Sequence, residues 1–481
     1  MITDLKPYPV MKDSGVEWLG EVPEHWEVRR LKYLLREMDL RSTDGSEQLL
    51  RVSQYTGVTE RKSADGSEEP DTRASSLVGY KRVCPDELVI NIMLAWNGSM
   101  GVSAFDGIAS PAYCVYRFNE QAAPWYFHNL LRSPAYKARI KTVSTGIVES
   151  RLRLYTDDLS RLEALLPPLP EQASIVRYLD HVDRRMRRFV RAKQKLIGLL
   201  EEQKQAIIHR AVTRGLDPDV PLKDSGVEWL GEVPEHWEVR RLKQVSRTQG
   251  GFAFSADSFG NEGVPVVRMN NIRRGVLDFD KVVRVPEHQC KDAFALNEGD
   301  IVYGLSGSIG ATGSLGNYAV VRSGDLPAQL NQRVARFQPA TDRITEGFLV
   351  ESLQTSAFYE QVLSHTTGTA QFNVSTNDIG NVALALPPVD EQERIVRHLS
   401  TAAAGIDTDI DRARREIELL REYRTRLIAD VVTGKLDVRE AAANLPDEPD
   451  EPEPLDEVDD LMNSDEELAD DLDAIPEEVE A

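Results

Sequence analysis

From Glu171 onward the non-polar side chains fall in alternating steps of four and three: Ile175, Leu179, Val182, Met186, Phe189, then Lys193, Leu196, Leu200, Gln203 and Ile207. That rhythm is the seam of a heptad repeat and predicts one long helix with a single apolar edge. It returns 220 residues later at Ile395, Leu399, Ala402, Ile406, Asp409, Ala413, Glu416, Leu420, Tyr423 and Leu427, with poorer apolar content. About 40 helical residues make a rod on the order of 60 Å long. Prolines before Glu171 and Glu391 suit helix starts, and Gly215 and Gly434 suit helix ends. A helix with one apolar seam is unstable alone in water, so each needs a partner. The shared register makes the other copy the expected one, paired antiparallel.

Ahead of each helix the pattern shortens into strand-like runs broken by Gly, Asp and Ser. In the first half these are Glu87–Ile92 and Ala112–Phe118, followed by one or two helices over Pro124–Val143. In the second they are Val264–Met269, Asp300–Tyr303 and Val334–Phe337, followed by a helical Glu346–Leu363. The order is the same. The expected fold class is α+β: two similar globules separated by two long antiparallel coiled-coil helices, a pseudo-two-fold dumbbell.

The letters confirm the duplication. KDSGVEWLGEVPEHWEVRRLK occurs at Lys12–Lys32 and again, unchanged, at Lys223–Lys243. Leu166-Pro167-Pro168-Leu169-Pro170-Glu171-Gln172 later matches Leu386-Pro387-Pro388-Val389-Asp390-Glu391-Gln392, and Ala211–Asp217 matches Val431–Asp437. Between these fixed points the halves diverge. A tandem repeat with a constant frame and different inserts presents two different surfaces in one geometry. The boundaries it implies are 7–165 and 218–385 for the globules, 166–217 and 386–440 for the helical segments, and 441–481 for a tail.

Charge changes meaning once the tail is set apart. The net charge is −22, but Leu445–Ala481 holds 18 Asp or Glu and no Lys or Arg, so the rest of the chain carries −4. That proline-containing tail is too polar to fold alone and is expected to be disordered. The first helix is basic instead, with 11 Lys or Arg against 5 Asp or Glu between Glu171 and Arg214. Cys84, Cys114 and Cys290 include no close pair, which excludes a disulfide framework or a cysteine zinc site. MITDLKPYP has no signal-peptide pattern and no run of about 18 apolar residues follows. A soluble, cytoplasmic protein is expected.

Catalytic motifs are missing. Both proline pairs are Leu-Pro-Pro, not the Asn- or Asp-Pro-Pro-aromatic site of DNA amino-methyltransferases. Gly434-Lys435 lacks the rest of a phosphate loop, and the eight histidines show no metal-ligand spacing. The chain is expected to perform no covalent chemistry and to hold no metal or cofactor.

The repeated SGVEWLGEVPEHWEVRRLK box, the LPPxxEQxxIV helix start and the T-x-G-x-LD helix end together resemble the specificity subunit of type I restriction–modification enzymes. The resemblance runs from about Pro7 to Glu440. It implies two target-recognition domains that read the halves of a bipartite, asymmetric site in double-stranded DNA. It also implies helical spacers that bind two methyltransferase subunits, and a motor-nuclease subunit that joins for restriction. S-adenosylmethionine, ATP and magnesium would belong to those partners. The alternative is a coiled-coil scaffold whose globules bind proteins.

Base-reading residues should be polar, lie on loops and differ between the halves, because Arg pairs with guanine and Asn or Gln with adenine in the major groove. In the first globule these are Gln54, Tyr55, Arg61, Lys62, Asn97, Ser99, Arg151 and Arg153. In the second they are Asn270, Asn271, Arg273, Arg274, Ser306, Ser308, Gln332, Arg333, Gln371 and Asn373. Thr145-Gly146 and Thr367-Gly368 mark a hairpin or a plain turn at equivalent places. The identical box suits a docking clamp with Trp18, Trp26, Trp229 and Trp237 buried, since an element reading two unlike half-sites would differ between copies. Arg29, Arg30, Lys32 and their copies Arg240, Arg241 and Lys243 could still touch phosphate.

Overall fold

The computed structural model describes residues 5–61, 74, 76–147, 152–273, 275–309, 313–368 and 371–446. Lys62, Arg151, Arg274 and nearly all of the acidic tail lie outside these residues. The chain divides into two compact units, Met1–Gln194 with Arg414–Ala481, and Lys195–Ala413. Each unit gathers one globule, the start of the helix that follows it, and the end of the other helix.

The first globule is built on a four-stranded antiparallel sheet in the spatial order Leu35–Met38, Tyr113–Phe118, Leu88–Asn91, Met100–Val102. The second repeats that order with Ser246–Gly250, Val334–Pro339, Ile301–Gly304 and Tyr318–Val320. Leu88–Asn91 and Ile301–Gly304 are buried along their whole length, which is why both read as continuous apolar runs. The segment Pro124–Val143 resolves into two helices, Pro124–Leu131 and Pro134–Val143, because Pro134 can start a helix but not continue one. Their counterparts Glu346–Leu353 and Ser356–Ser364 start from the capping hydroxyls of Thr345 and Thr355.

The repeated box folds alike in both units. A hairpin of Met11–Asp13 and Glu21–Pro23 leads into Glu27–Arg30, which pairs with Glu163–Leu166 just before the proline pair. Leu222–Asp224, Glu232–Pro234, Glu238–Arg241 and Ala383–Leu386 repeat this. Trp26 and Trp237 are wholly buried in their respective cores. Trp18 packs edge-on to Tyr136 at 4.9 Å, with Arg139 over its ring. Trp229, expected to be buried, is 40% exposed. The matching positions of the second globule carry Phe358, Gln361 and Ala383 where the first has Tyr136, Arg139 and Glu163.

The long helices span Leu169–Arg214 and Val389–Val432. Each ends in a glycine at φ +76°, Gly215 and Gly434, a left-handed conformation that disfavours other residues. Pairing is antiparallel, as expected. In the first unit Asp183 meets Arg424 and Lys193 meets Glu416; in the second Lys204 meets Asp407.

The seam itself departs from the heptad. Ile175, Leu179, Val182 and Met186 are buried, but the next buried residue is Val190, and Phe189 is 50% exposed. Leu196, placed in the seam by the heptad pattern, is 42% exposed, and Leu200 is half-buried. The second helix shifts identically: Ile395, Leu399 and Leu427 are buried and Ile406 and Leu420 half-buried, while Ile410 and Ile417 replace Asp409 and Glu416. Ile175, Met186, Ile197 and Ile208 follow one another at eleven residues, as do Ile395, Ile406, Ile417 and Ile428. The cause is helix geometry. At 3.6 residues per turn a strict heptad drifts by about 20° per repeat, and an eleven-residue repeat tracks a helix that is not wound left-handedly.

Candidate nucleic-acid interface

The Glu-Gln pair that opens each long helix seats the globule of its unit. Glu171, buried, accepts hydrogen bonds from the Tyr8 hydroxyl (2.5 Å), Trp26 Nε1 (2.9 Å) and His25 Nε2 (2.7 Å). Burial, and next the Glu171 carboxylate, push the Tyr8 hydroxyl far above its ordinary value, so it stays a donor. Gln172 donates to the carbonyls of Gln121 (3.0 Å) and Pro167 (2.8 Å) and accepts from Ala123 N (2.7 Å), tying the helix to the start of Pro124–Leu131. Gln392 repeats this with Arg343, Pro387 and Thr345. Glu391 accepts from His236 at 2.9 Å, but the buried Trp237 Nε1 has no partner among the described residues.

The box's basic residues serve this frame in part. Arg29 and Arg240 each donate to the glutamate two residues earlier on their own strand, Glu27 and Glu238, at 2.9 Å. On the first long helix, Arg187 pairs with Asp183 at 2.5 Å.

In the first globule, Gln54 and Tyr55 sit on the turn between Leu50–Ser53 and Gly57–Glu60, and Asn97 sits on a turn ahead of Met100–Val102. Arg132 joins the two turns: its Nη1 donates to the carbonyls of Gly98 (3.1 Å) and Met100 (2.5 Å), and its Nη2 to Gln54 (3.0 Å) and Tyr55 (2.7 Å). Thr145 and Arg153 exchange both backbone hydrogen bonds, and Leu154 N donates to Ile92 O. The Thr145-Gly146 signal is therefore the base of a hairpin lying beside the strand that ends at Asn91.

The second globule repeats that hairpin with Thr367 and Asn373, and Val374 N donates to Leu305 O. Here the hairpin brings predicted residues together. Ser306 pairs with Asn373 across strands, Arg333 Nη1 donates to Ser306 Oγ (2.9 Å) and Asn373 Oδ1 (3.4 Å), and Gln371 Nε2 donates to Ser306 Oγ (3.1 Å). Arg333, Gln371 and Asn373 are exposed around the buried serine. Ser308 and Gln332 are exposed nearby in sequence.

Other predicted residues are placed elsewhere. Asn270 and Arg273 are exposed at a separate hairpin, Ile272–Arg273 with Val276–Leu277. Asn271 is buried, its amide held by Arg268 N and Asp278 O, and Ser99 is buried with its hydroxyl on Asn97 Oδ1. Those two shape their loops. Arg61 is half-buried at the end of Gly57–Glu60. Sequence reasoning missed Arg132, Glu171, Gln172 and their copies Glu391 and Gln392. The repeated Glu-Gln was a visible signal for the last four; Arg132 had none. Among the described residues no cluster of His, Cys, Asp or Glu could hold a metal ion, and no helix is long and apolar enough to cross a membrane.

Two copies of one antiparallel sheet frame, seated alike on paired helices and edged with unlike polar loops, define a duplicated recognition protein. Residues 234–419 match the family model described as the type I restriction modification DNA specificity domain. The type I restriction enzyme MjaVIII specificity subunit of Methanocaldococcus jannaschii is 26% identical over 431 residues, covering 87% of this chain and 94% of that one. The EcoAI specificity subunit of Escherichia coli is 30% identical over 204 residues, 42% of this chain and 34% of its own. A solved chain from work on complex assembly and conformational transition of the type I R-M system aligns with TM-score 0.62 at 18% identity, covering 86% of this chain and 99% of that chain. Over residues 234–419 the chain thus matches a type I DNA specificity domain, and over most of its length it is similar to type I specificity subunits.

Proposed function

We propose that this chain gives a type I restriction–modification complex its DNA sequence specificity, each globule reading one half of a bipartite, asymmetric site in double-stranded DNA. The carrying observation is the contrast between a frame repeated strand for strand and the unlike polar side chains on its loops, Gln54, Tyr55 and Asn97 in one unit and Arg333, Gln371 and Asn373 in the other. A constant frame with variable edges is what two different half-sites require, because specificity comes from base-edge contacts and positioning from the backbone. The chain does no chemistry of its own in this reading. Two methyltransferase subunits and motor-nuclease subunits join it, and they hold the S-adenosylmethionine, ATP and magnesium.

The test is single-molecule sequencing of base methylation across the genome, with the chain's gene and its methyltransferase partner intact and again with this gene deleted. A gapped two-part motif that disappears on deletion supports the proposal. Methylation unchanged by the deletion overturns it.

A further inference from the structure

The five carbonyls around Arg132 have a consequence for recognition that the contacts of any single loop do not carry. Arg132 closes the helix Pro124–Leu131, and its guanidinium faces two turns of the first globule at once. Besides the Gly98, Met100, Gln54 and Tyr55 carbonyls, Nη1 reaches Ser53 O at 3.3 Å. Gln54 and Tyr55 lie on a turn between two strands, Ser53 and Met100 at strand ends, and a guanidinium offers five donors in a fixed planar fork. One side chain therefore sets the distance between the turn of Gln54 and Tyr55 and the turn of Asn97. The fit is close. Gly57 and Gly98 hold φ of +80° and +104°, and a Cβ at Gly57 would lie 3.4 Å from Arg132 Nη1 and 3.0 Å from His128 Cε1. His128 packs beneath the same turns, its Nδ1 accepting from Val102 N at 3.1 Å.

Among the described residues the second globule has no equivalent. Gln354 stands at the matching end of Glu346–Leu353, and its amide turns back to Val350 O and Glu351 Oε2. The polar cluster there is braced directly by side chains, Arg333 and Gln371 on Ser306. The two recognition surfaces are thus held in shape by different devices.

We propose that Arg132 is the positioning residue of the first recognition domain: it holds the two turns at the spacing that lets Gln54, Tyr55 and Asn97 meet one half-site together. This rests on the reading of the chain as a specificity subunit. Arg132 itself reads no base. Lysine cannot replace it, because an ammonium is a point charge and cannot bridge two turns.

The experiment maps methylation motifs in cells carrying the full chain with its methyltransferase partner, comparing wild type, Arg132→Gln, Arg132→Lys and Arg333→Ala. In both Arg132 variants, methylation at sites mismatched in one half of the motif is expected to rise about tenfold or more, the scale of losing a base-specific contact. The bases of the other half stay fixed, and Arg333→Ala relaxes that other half instead. An unchanged motif, equal relaxation of both halves, loss of all methylation, or full rescue by Arg132→Lys each overturns the positioning role. A wild-type chain with no two-part motif overturns the specificity reading itself, so the two failures are distinguishable.

Discussion

Glu171→Ala and Glu391→Ala change the same letter of the same motif in clamps of unequal content. Glu171 is 5% exposed and accepts from Tyr8, Trp26 and His25, whereas Glu391 is 18% exposed and accepts from the exposed His236. Truncating Glu171 strands two buried donors, the Tyr8 hydroxyl and the Trp26 indole. At ~1–3 kcal/mol for each unsatisfied buried group, the loss is about 4 kcal/mol. Truncating Glu391 strands no indole, since Trp237 Nε1 is without a partner already among the described residues, and it removes a surface pair worth ~0–1 kcal/mol. With ~2–4 °C per kcal/mol for a domain of this size, Glu171→Ala lowers the unfolding midpoint by about 10 °C and Glu391→Ala by about 4 °C at most. Thermal unfolding followed by near-ultraviolet circular dichroism measures both. Hydrogen exchange then locates the loosening, in Glu27–Arg30 for the first variant and Glu238–Arg241 for the second. Equal midpoints for the two variants would refute the reasoning, because they would mean that the shared letters, not the bonds around them, set the strength of each clamp.

Gly434→Ala is expected to cost about 3 kcal/mol, from left-handed strain plus overpacking, because its Cβ would lie 2.4 Å from Pro23 Cδ. Gly215→Ala, 3.2 Å from the Trp237 ring, is expected to cost about half as much, and chemical denaturation compares the two. Val190→Ala should destabilise by about 2 kcal/mol and the larger truncation Phe189→Ala by less than about 1, since Val190 is buried and Phe189 half exposed; the opposite ranking would restore the heptad seam. Burial works to raise the Asp183 carboxyl, but Arg424 and Arg187 hold it below the ordinary value. A folded pKa below the unfolded one of about 4 contributes stability above that pH, lost as pH falls through the folded value. The midpoint gap between wild type and Asp183→Asn is therefore expected to be wide at neutral pH and to close below about pH 4, and a gap constant with pH would contradict it.

The two long helices were legible because their periodicity is local and because proline and glycine mark their ends. Their seam was not. Phe189 stands beside Val190 and Leu196 beside Ile197, so two apolar registers were available, and helix twist rather than composition chose between them. The box was legible as a docking element from its identity alone, and Trp26 and Trp237 bear that out. Trp229 does not, because what covers Trp18 is Tyr136, Arg139 and Glu163, contributed by the divergent part of the globule. Ser306, Arg333, Gln371 and Asn373 could be picked as polar loop residues, but their meeting depends on a cross-strand pair between segments more than sixty residues apart. Arg132 was invisible for the same reason: at the end of a short helix it looks like any surface arginine until two distant turns close around it.

That dependence on distant partners limits how the two halves can be interchanged. The frame is common to both units, so the loops look transferable. Yet the turns of Gln54, Tyr55 and Asn97 are tied together through carbonyls bound by a guanidinium at the foot of Pro124–Leu131, and the second globule has Gln354 there. Moving the turns without Arg132 would remove that shared donor and leave the spacing between the turns unset. Moving the cluster of the second globule needs Ser306, Arg333 and the hairpin Thr367–Asn373 together, since each holds another. The exchangeable piece in each half is thus the turns with their brace, a larger insert than the variable loops alone and one bounded by the repeated box and the paired prolines.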